Sequence, residues 1–334
     1  MTFNPAPLDA AEVLSPDWLT IALGRPVSTV TEVWRQENVA TKIRFTADDE
    51  ALCVKGYFGP SSAAFIATGS REARFYSELA PMLPLQTPAC VYTGIDPETK
   101  HGVVIMRDLV PEGTTFLTAL SPYSSDQVAA TLEQLAAMHA ATWDSAPLQS
   151  LPWVAPLFES YANVLPDEEL AALVNGPRKE GIPEEVRQPK RIKGALGALA
   201  RRYAGQPSCL VHADAHAGNL YESADGRPGL IDWATYQLVH WSFDVAYHVG
   251  AVLEPEQRAA SERDLLAHYL DHRAALGVPA PPFDDAWADF RAALAYGYFM
   301  WAITRRVEER VMLTFNRRLG TAVTDHDSYA LLGV

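Results

Sequence analysis

His212-Ala213-Asp214-Ala215-His216-Ala217-Gly218-Asn219, followed shortly by Gly229-Leu230-Ile231-Asp232-Trp233, is the stretch that decides how the rest of the chain reads. It sets a carboxylate (Asp214), an amide (Asn219) and a second carboxylate (Asp232) in a tight order. One carboxylate can orient or deprotonate an attacking hydroxyl. An amide oxygen and another carboxylate offer hard oxygen ligands to a magnesium ion. Phosphoryl transfer from ATP uses that combination. Singly, each residue has a plainer reading: Asp214 as a turn carboxylate, Asn219 after Gly218 as part of a turn, Asp232 as a helix N-cap. The register of all three favours chemistry.

Working outward, the bulk properties bound the alternatives. The chain has 334 residues, 48% hydrophobic and 20% charged, which suits one large domain or two lobes around a substantial core. A formal charge of -14 argues against non-specific binding of nucleic acid and against docking on anionic membrane. Cys53, Cys90 and Cys209 are far apart, odd in number and set in apolar runs, so buried free thiols are expected. Met1 to Glu12 lacks the basic and apolar regions of a signal peptide, and the apolar run Leu294 to Ile303 falls short of the roughly 18 residues that suggest a membrane span. The expectation is a soluble cytoplasmic protein, monomer or homodimer, acting on a small molecule.

Two kinds of patterning divide the chain. Ser15-Pro16-Asp17 opens a short helix that Gly24 closes. Strands are expected over Val27–Trp34, Thr41–Phe45, Ala51–Lys55, Cys90–Gly94 and Gly102–Met106, with a helix over Ser62–Leu79 between the third and fourth. Beyond a connector at Pro111-Glu112-Gly113 the periodicity is helical: near Val128–His139, then Glu168–Val174, Arg191–Tyr203, Phe243–Leu253, Glu256–Leu276 and one long helix over Asp284–Arg310. Asn175–Lys193 reads as a surface loop, and short strands fall at Leu210–Val211, Leu220–Tyr221 and Leu230–Ile231. The expected architecture is α+β: a small antiparallel sheet lobe, residues 1–107, and a larger mainly helical lobe, residues 108–334.

The loop His212 to Asn219, with its His-x-Asp-x-x-x-x-Asn spacing, and Ile231-Asp232-Trp233 resemble the aminoglycoside phosphotransferase and choline kinase group of small-molecule kinases. The resemblance spans about Trp34 to Leu253, strongest at the loop. It implies a protein-kinase-like bilobal fold and an ATP-dependent hydroxyl kinase, with Asp214 as catalytic base and Asn219 and Asp232 as magnesium ligands. His212 would brace the loop. His216 would donate to the transferred phosphoryl group or buttress the loop. Lys55, at the end of an apolar strand, would reach the nucleotide phosphates and pair with Glu72 on the next helix. The adenine edge would meet backbone near Met106 to Leu109, and Asp244 would cap a helix and tether the loop. The acceptors the resemblance allows are aminoglycosides, choline-like alcohols, amino-acid or sugar hydroxyls and hydroxyacyl thioesters.

Three features pull elsewhere. The segment Gln36-Glu37-Asn38-Val39-Ala40-Thr41, where phosphates would be covered, holds no glycine, which motivates a non-catalytic nucleotide-binding scaffold as an alternative. His212, Asp214 and His216 alternate as ligands of a metallohydrolase would, but that scheme leaves Asn219 and Asp232 without a task. Tyr296, Tyr298, Phe299 and Trp301, with Arg305 and Arg306 beyond, fall where such kinases build acceptor contacts, yet helical aromatic clusters are usually core.

Overall fold

In the computed structural model the described residues are 4–59, 62 and 65–334. Met1–Phe3, and Pro60, Ser61, Ala63 and Ala64 at the start of the expected first long helix, lie outside them. The chain forms two compact units, one of residues up to Thr115 with Glu222–Thr235, the other of Phe116–Tyr221 with Tyr236–Val334. The segment carrying Asp232 therefore groups with the N-terminal sheet.

In the first unit, Asp9 caps α1 (Ala10–Val13) and Ser15 caps α2 (Pro16–Leu23), which ends at Gly24 with φ 65°. Five antiparallel strands follow in the order β1-β2-β3-β5-β4: β1 (Val30–Glu37), β2 (Thr41–Ala47), β3 (Glu50–Gly56), β4 (Cys90–Ile95) and β5 (Gly102–Arg107). β1 begins and ends three residues later than its β-rich composition suggests. Strand alternation sorts the faces. Ile43, Phe45, Leu52, Val54, Val103 and Ile105 bury one face against Val13 and Leu19. The opposite parity of β2 and β3 carries Lys42 and Lys55, which are cross-strand partners.

α3 (Ile66–Arg74) lies on β5 at a glycine-to-glycine contact. A Cβ on Gly102 would stand 2.1 Å from the Gly69 carbonyl oxygen, so no other residue allows this approach. One turn beyond Gly69 is Glu72. The expected helix to Leu79 changes at Phe75 into a π turn, Phe75–Leu79, a form often found at functional sites. Phe75 on that turn stacks on Trp233 at 4.0 Å with 6° between planes.

β6 (Thr115–Phe116) closes the connector. The second unit is helical: α4 (Ser125–Ala141), the single turns α5 (Ala146–Gln149) and α6 (Phe158–Tyr161), α7 (Asp167–Asn175) and α8 (Pro189–Tyr203). Short strands follow as β7 (Cys209–Val211), β8 (Leu220–Glu222), β9 (Pro228–Leu230) and β10 (Gln237–Val239), the last unanticipated and paired with β7. Then come α9 (Ser242–Val252), α10 (Pro255–Ala275), α11 (Phe283–Ile303), α12 (Glu309–Asp325) and α13 (Ser328–Leu332). Every residue of α9 is buried, which makes it the central helix of this unit. Among the described residues no helix is long and apolar enough to cross a membrane.

Two expectations fail for one reason. Asn175–Lys193 is not simply a surface loop: Arg178, Ile182 and Val186 are buried, and α8 already starts at Pro189. The Arg178 guanidinium donates to the carbonyls of Trp301, Ala302 and Thr304. Those acceptors are the ones a continuing helix would need, so α11 stops at Ile303 and a second helix begins at Glu309. The aromatic run is core: Tyr296, Tyr298, Phe299 and Trp301 are all buried. Of the cysteines only Cys209 is fully buried, because Cys53 and Cys90 lie on partly covered strand positions. Burial still lifts the Cys53 thiol to about 11 and the Cys90 thiol to about 12, so both stay protonated at neutral pH.

Candidate active site

In the first unit the Lys55 ammonium sits between two carboxylates. Its Nζ lies 2.7 Å from Glu72 Oε2 and 2.7 Å from Asp232 Oδ1, and the side chain is buried. Lys42, overlooked in the sequence, reaches Asp232 Oδ2 at 3.7 Å from the same sheet face. Antiparallel pairing of β2 with β3 is the signal that could have found it. Glu72 Oε1 also accepts from the Trp233 backbone N–H at 3.2 Å, which fixes the residue next to Asp232. Asp232 itself has φ 66°, a strained backbone for a non-glycine residue.

One ammonium serves two carboxylates, and the charge states follow. Burial alone would lower Lys55, but Asp232 and Glu72 outweigh it and hold Lys55 well above its ordinary value. For Glu72 burial comes first and lifts the carboxyl above the ordinary glutamate range; Lys55 only partly offsets it, and Asp232 adds to the lift. With Lys42 beside Asp232, two lysines face the two carboxyl groups of the cluster. Its Asp232 end is 30% exposed, whereas the Lys55 and Glu72 side chains are buried.

The segment Gln36–Thr41 turns without glycine because it needs none. β1 and β2 pair to Glu37 and Thr41, Asn38 N–H donates to the Ala40 carbonyl at 3.2 Å, and no residue of the turn has positive φ. Met106 is the penultimate residue of β5. The Leu109 carbonyl accepts from Glu112 and Thr114, closing the connector as a turn at Gly113 (φ 79°).

In the second unit, residues 212–219 form a loop clamped from one face of α9. Asp244, Tyr247 and His248 stand at i, i+3 and i+4 and so share that face. Asp244 accepts the backbone N–H of His212 and of Ala213, each at 2.7 Å. Asp244 does not cap its helix; Trp241 holds the N-cap position and Asp244 lies inside the first turn. His248 Nδ1 donates to the Ala215 carbonyl at 2.8 Å, and burial pushes this histidine down to about 4, so it stays neutral. Tyr296 donates to the Ala213 carbonyl at 2.8 Å, holding that residue at φ 63°. Behind Asp244, His139 Nε2 lies 3.2 Å from its Oδ2, and His139 Nδ1 meets the Tyr269 hydroxyl at 2.8 Å.

The clamp presents Asp214. Its Oδ1 accepts from the Tyr247 hydroxyl at 2.9 Å and its Oδ2 from Asn219 Nδ2 at 3.0 Å. Burial and the Asp214 charge raise Tyr247 well above an ordinary tyrosine, so it remains a donor. Asn219 Nδ2 also donates to the Asp214 carbonyl at 2.9 Å. Spending both N–H bonds there directs the amide oxygen away from Asp214. His216 Nδ1 accepts from Gly218 N–H at 3.0 Å, leaving its proton on Nε2, 3.6 Å from Asp214 Oδ1. Its ring packs on Trp301 and Phe315, each at 5.0 Å.

The metallohydrolase arrangement does not form. His212 is fully buried with Nδ1 taken by the Asp214 N–H, and His216 Nδ1 is taken by Gly218. Among the described residues those three do not come together as a metal-binding group.

The model of the phosphotransferase enzyme family matches residues 38–280, well over half of the chain. The chain belongs to the phosphotransferase enzyme family. Solved structures agree on the fold. Choline kinase LicA from Streptococcus pneumoniae is 14% identical, with a TM-score of 0.51 over 89% of this chain and 94% of that one. A macrolide 2'-phosphotransferase of type I is 18% identical, with a TM-score of 0.51 over 91% and 93%. An aminoglycoside 2'-phosphotransferase of type IIIa, solved with GDP, is 12% identical, with a TM-score of 0.52 over 83% and 84%. At these identities the likeness is one of fold, α+β and protein-kinase-like. No curated protein sequence matches.

In this phosphotransferase Tyr247, Tyr296, His139 and Tyr269 are the loop supports that sequence reasoning missed. Tyr247 was within reach, one helical turn after Asp244. Tyr247→Phe removes one donor to the Asp214 carboxylate, a bond worth about 1.5–3 kcal/mol of stability, so a lowered melting temperature is expected together with a fall in phosphotransfer of about tenfold as Asp214 loses its fixed position. Turnover equal to wild type would show that Asp214 does not depend on this hydroxyl.

Proposed function

We propose that this phosphotransferase moves the γ-phosphoryl group of ATP to a hydroxyl of a small molecule. The observation that carries the reading is Asp214, a carboxylate held at both oxygens on a clamped loop. A carboxylate so fixed can take a hydroxyl proton or aim the hydroxyl at the phosphorus without reorganising in the transition state. Lys55, kept charged by Glu72 and Asp232, is assigned to the nucleotide phosphates, and backbone at Met106 and Leu109 to the adenine edge. His216, with its proton on Nε2 beside Asp214, is assigned to the transferred group or to holding the loop. Asn219 and Asp232 are assigned to magnesium in this reading: an amide oxygen and a partly exposed carboxylate are the hard oxygen donors that ion takes. When bound, magnesium would neutralise charge on the phosphates. The glycine-free turn does not favour the scaffold alternative, since its backbone never enters the region that requires glycine.

Calorimetric titration with ATP, with and without magnesium, tests the reading. Wild type should bind more tightly with magnesium, and Asp232→Ala should lose that gain. A wild-type protein that binds no nucleotide would end the proposal.

A further inference from the structure

We infer that Glu133, His268 and His272 form a transition-metal site of the zinc class that ties α4 to α10. His268 and His272 are four residues apart on α10, so their imidazoles leave the same helix face. Their ring centroids are 6.0 Å apart. Glu133 comes from α4, and its Oε1 lies 3.1 Å from His268 Nε2. One ligand atom from each of the three lies within 4.8 Å of the others. Ligands at about 2.0–2.1 Å from a tetrahedral zinc ion are roughly 3.4 Å apart. The Glu133–His268 pair is already near that spacing. The widest gap closes by side-chain rotation, for which Glu133 and His268, 45% and 39% exposed, have room.

Two imidazoles and one carboxylate favour zinc-class ions over magnesium or calcium, which prefer all-oxygen sites. Three protein ligands leave a position for water. Among the described residues this is the one such group, and its members are not among those assigned to phosphotransfer above. A surface ion pair between Glu133 and His268 would involve two of the three and contribute little. The location gives the site a consequence. Tyr269, next to His268, meets His139 of α4, which meets Asp244, which holds the backbone of His212 and Ala213. A metal bridging α4 and α10 would restrain the two helices that carry this chain of contacts.

The test is zinc titration of the full, chelator-treated protein in magnesium-free buffer, read by calorimetry and melting temperature, with cobalt(II) as a spectroscopic probe. One zinc per chain, a raised melting temperature and the visible absorption of four-coordinate cobalt are expected. His268→Ala, His272→Ala and Glu133→Gln should each weaken zinc binding about tenfold or more, with unchanged circular dichroism. Asp232→Ala should bind zinc as wild type does, separating this site from the proposed magnesium ligands. No zinc uptake, or uptake that survives the double variant His268→Ala/His272→Ala, would overturn the inference. Should an alanine variant misfold, His268→Gln and His272→Gln give the same reading with side-chain volume kept.

Discussion

Asp214→Asn should lower phosphotransfer by about 10³-fold while nucleotide affinity stays within a few-fold of wild type. The substitution keeps the shape of the side chain, and the amide oxygen can still accept from the Tyr247 hydroxyl. What it loses is the negative charge and the ability to take a proton. One contact also turns unfavourable, because the new amide N–H₂ faces the Asn219 N–H₂ that now donates to Oδ2. A modest fall in melting temperature is therefore expected alongside the kinetic loss. The informative comparison is kcat with saturating nucleotide against the affinity measured by calorimetry. A variant that turns over within tenfold of wild type would remove Asp214 from the chemistry and leave it a loop-forming residue.

Lys55→Met should cost about 3–5 kcal/mol of folding stability at neutral pH, because it leaves buried Glu72 facing Asp232 with their shared ammonium gone. The pH dependence has a definite sign. Glu72 already titrates above its ordinary 4.5 in the folded protein, through burial first. Folding then favours its protonated form, so this contribution is complete below 4.5 and is lost as pH rises through the raised folded value. Without Lys55 the lift grows. The variant's stability deficit should thus be smallest in acid and widen as pH rises through the neutral range. In wild type Lys55 itself is raised, so its contribution persists until pH passes beyond 10.5. Urea midpoints of both proteins at several pH values measure this directly. A deficit independent of pH would mean that Glu72 is not the group responding. Nucleotide affinity should fall in the same variant, and a variant that loses stability but binds ATP normally would reassign Lys55 to folding alone.

Neighbours in sequence were legible, and of the partners across space only those the family resemblance implied, Lys55 with Glu72 and Asp244 with the loop, were expected. Alternation in β2 and β3 places Lys55 opposite Leu52 and Val54, so its separation from the apolar face follows from the strand period alone. Ser15 and Gly24 mark a helix because capping is a local matter. Asp244 divides the two cases: the tether to the loop expected of it forms, and the helix cap does not. An aspartate ahead of an apolar run reads as a cap, yet its carboxylate leaves the helix to take two N–H groups 31 and 32 residues earlier. The break between α11 and α12 was hidden for the same reason, since Arg178 acts on carbonyls more than 120 residues away.

The sequence by itself determined the family, the α+β division and the order of the carboxylates and amide, because these depend on local period and on fixed spacing within one loop. Beyond the Asp244 tether and the Lys55–Glu72 pair that the resemblance implied, only the tertiary structure decided what holds them. Tyr247 and Tyr296 reach the loop from 33 and 83 residues away, Lys42 joins Lys55 through strand register, and Glu133 meets His268 across two helices. Hydrogen bonds and ion pairs act over about 3–4 Å in space, and the chain separations they bridge leave no period in the sequence from which to read them.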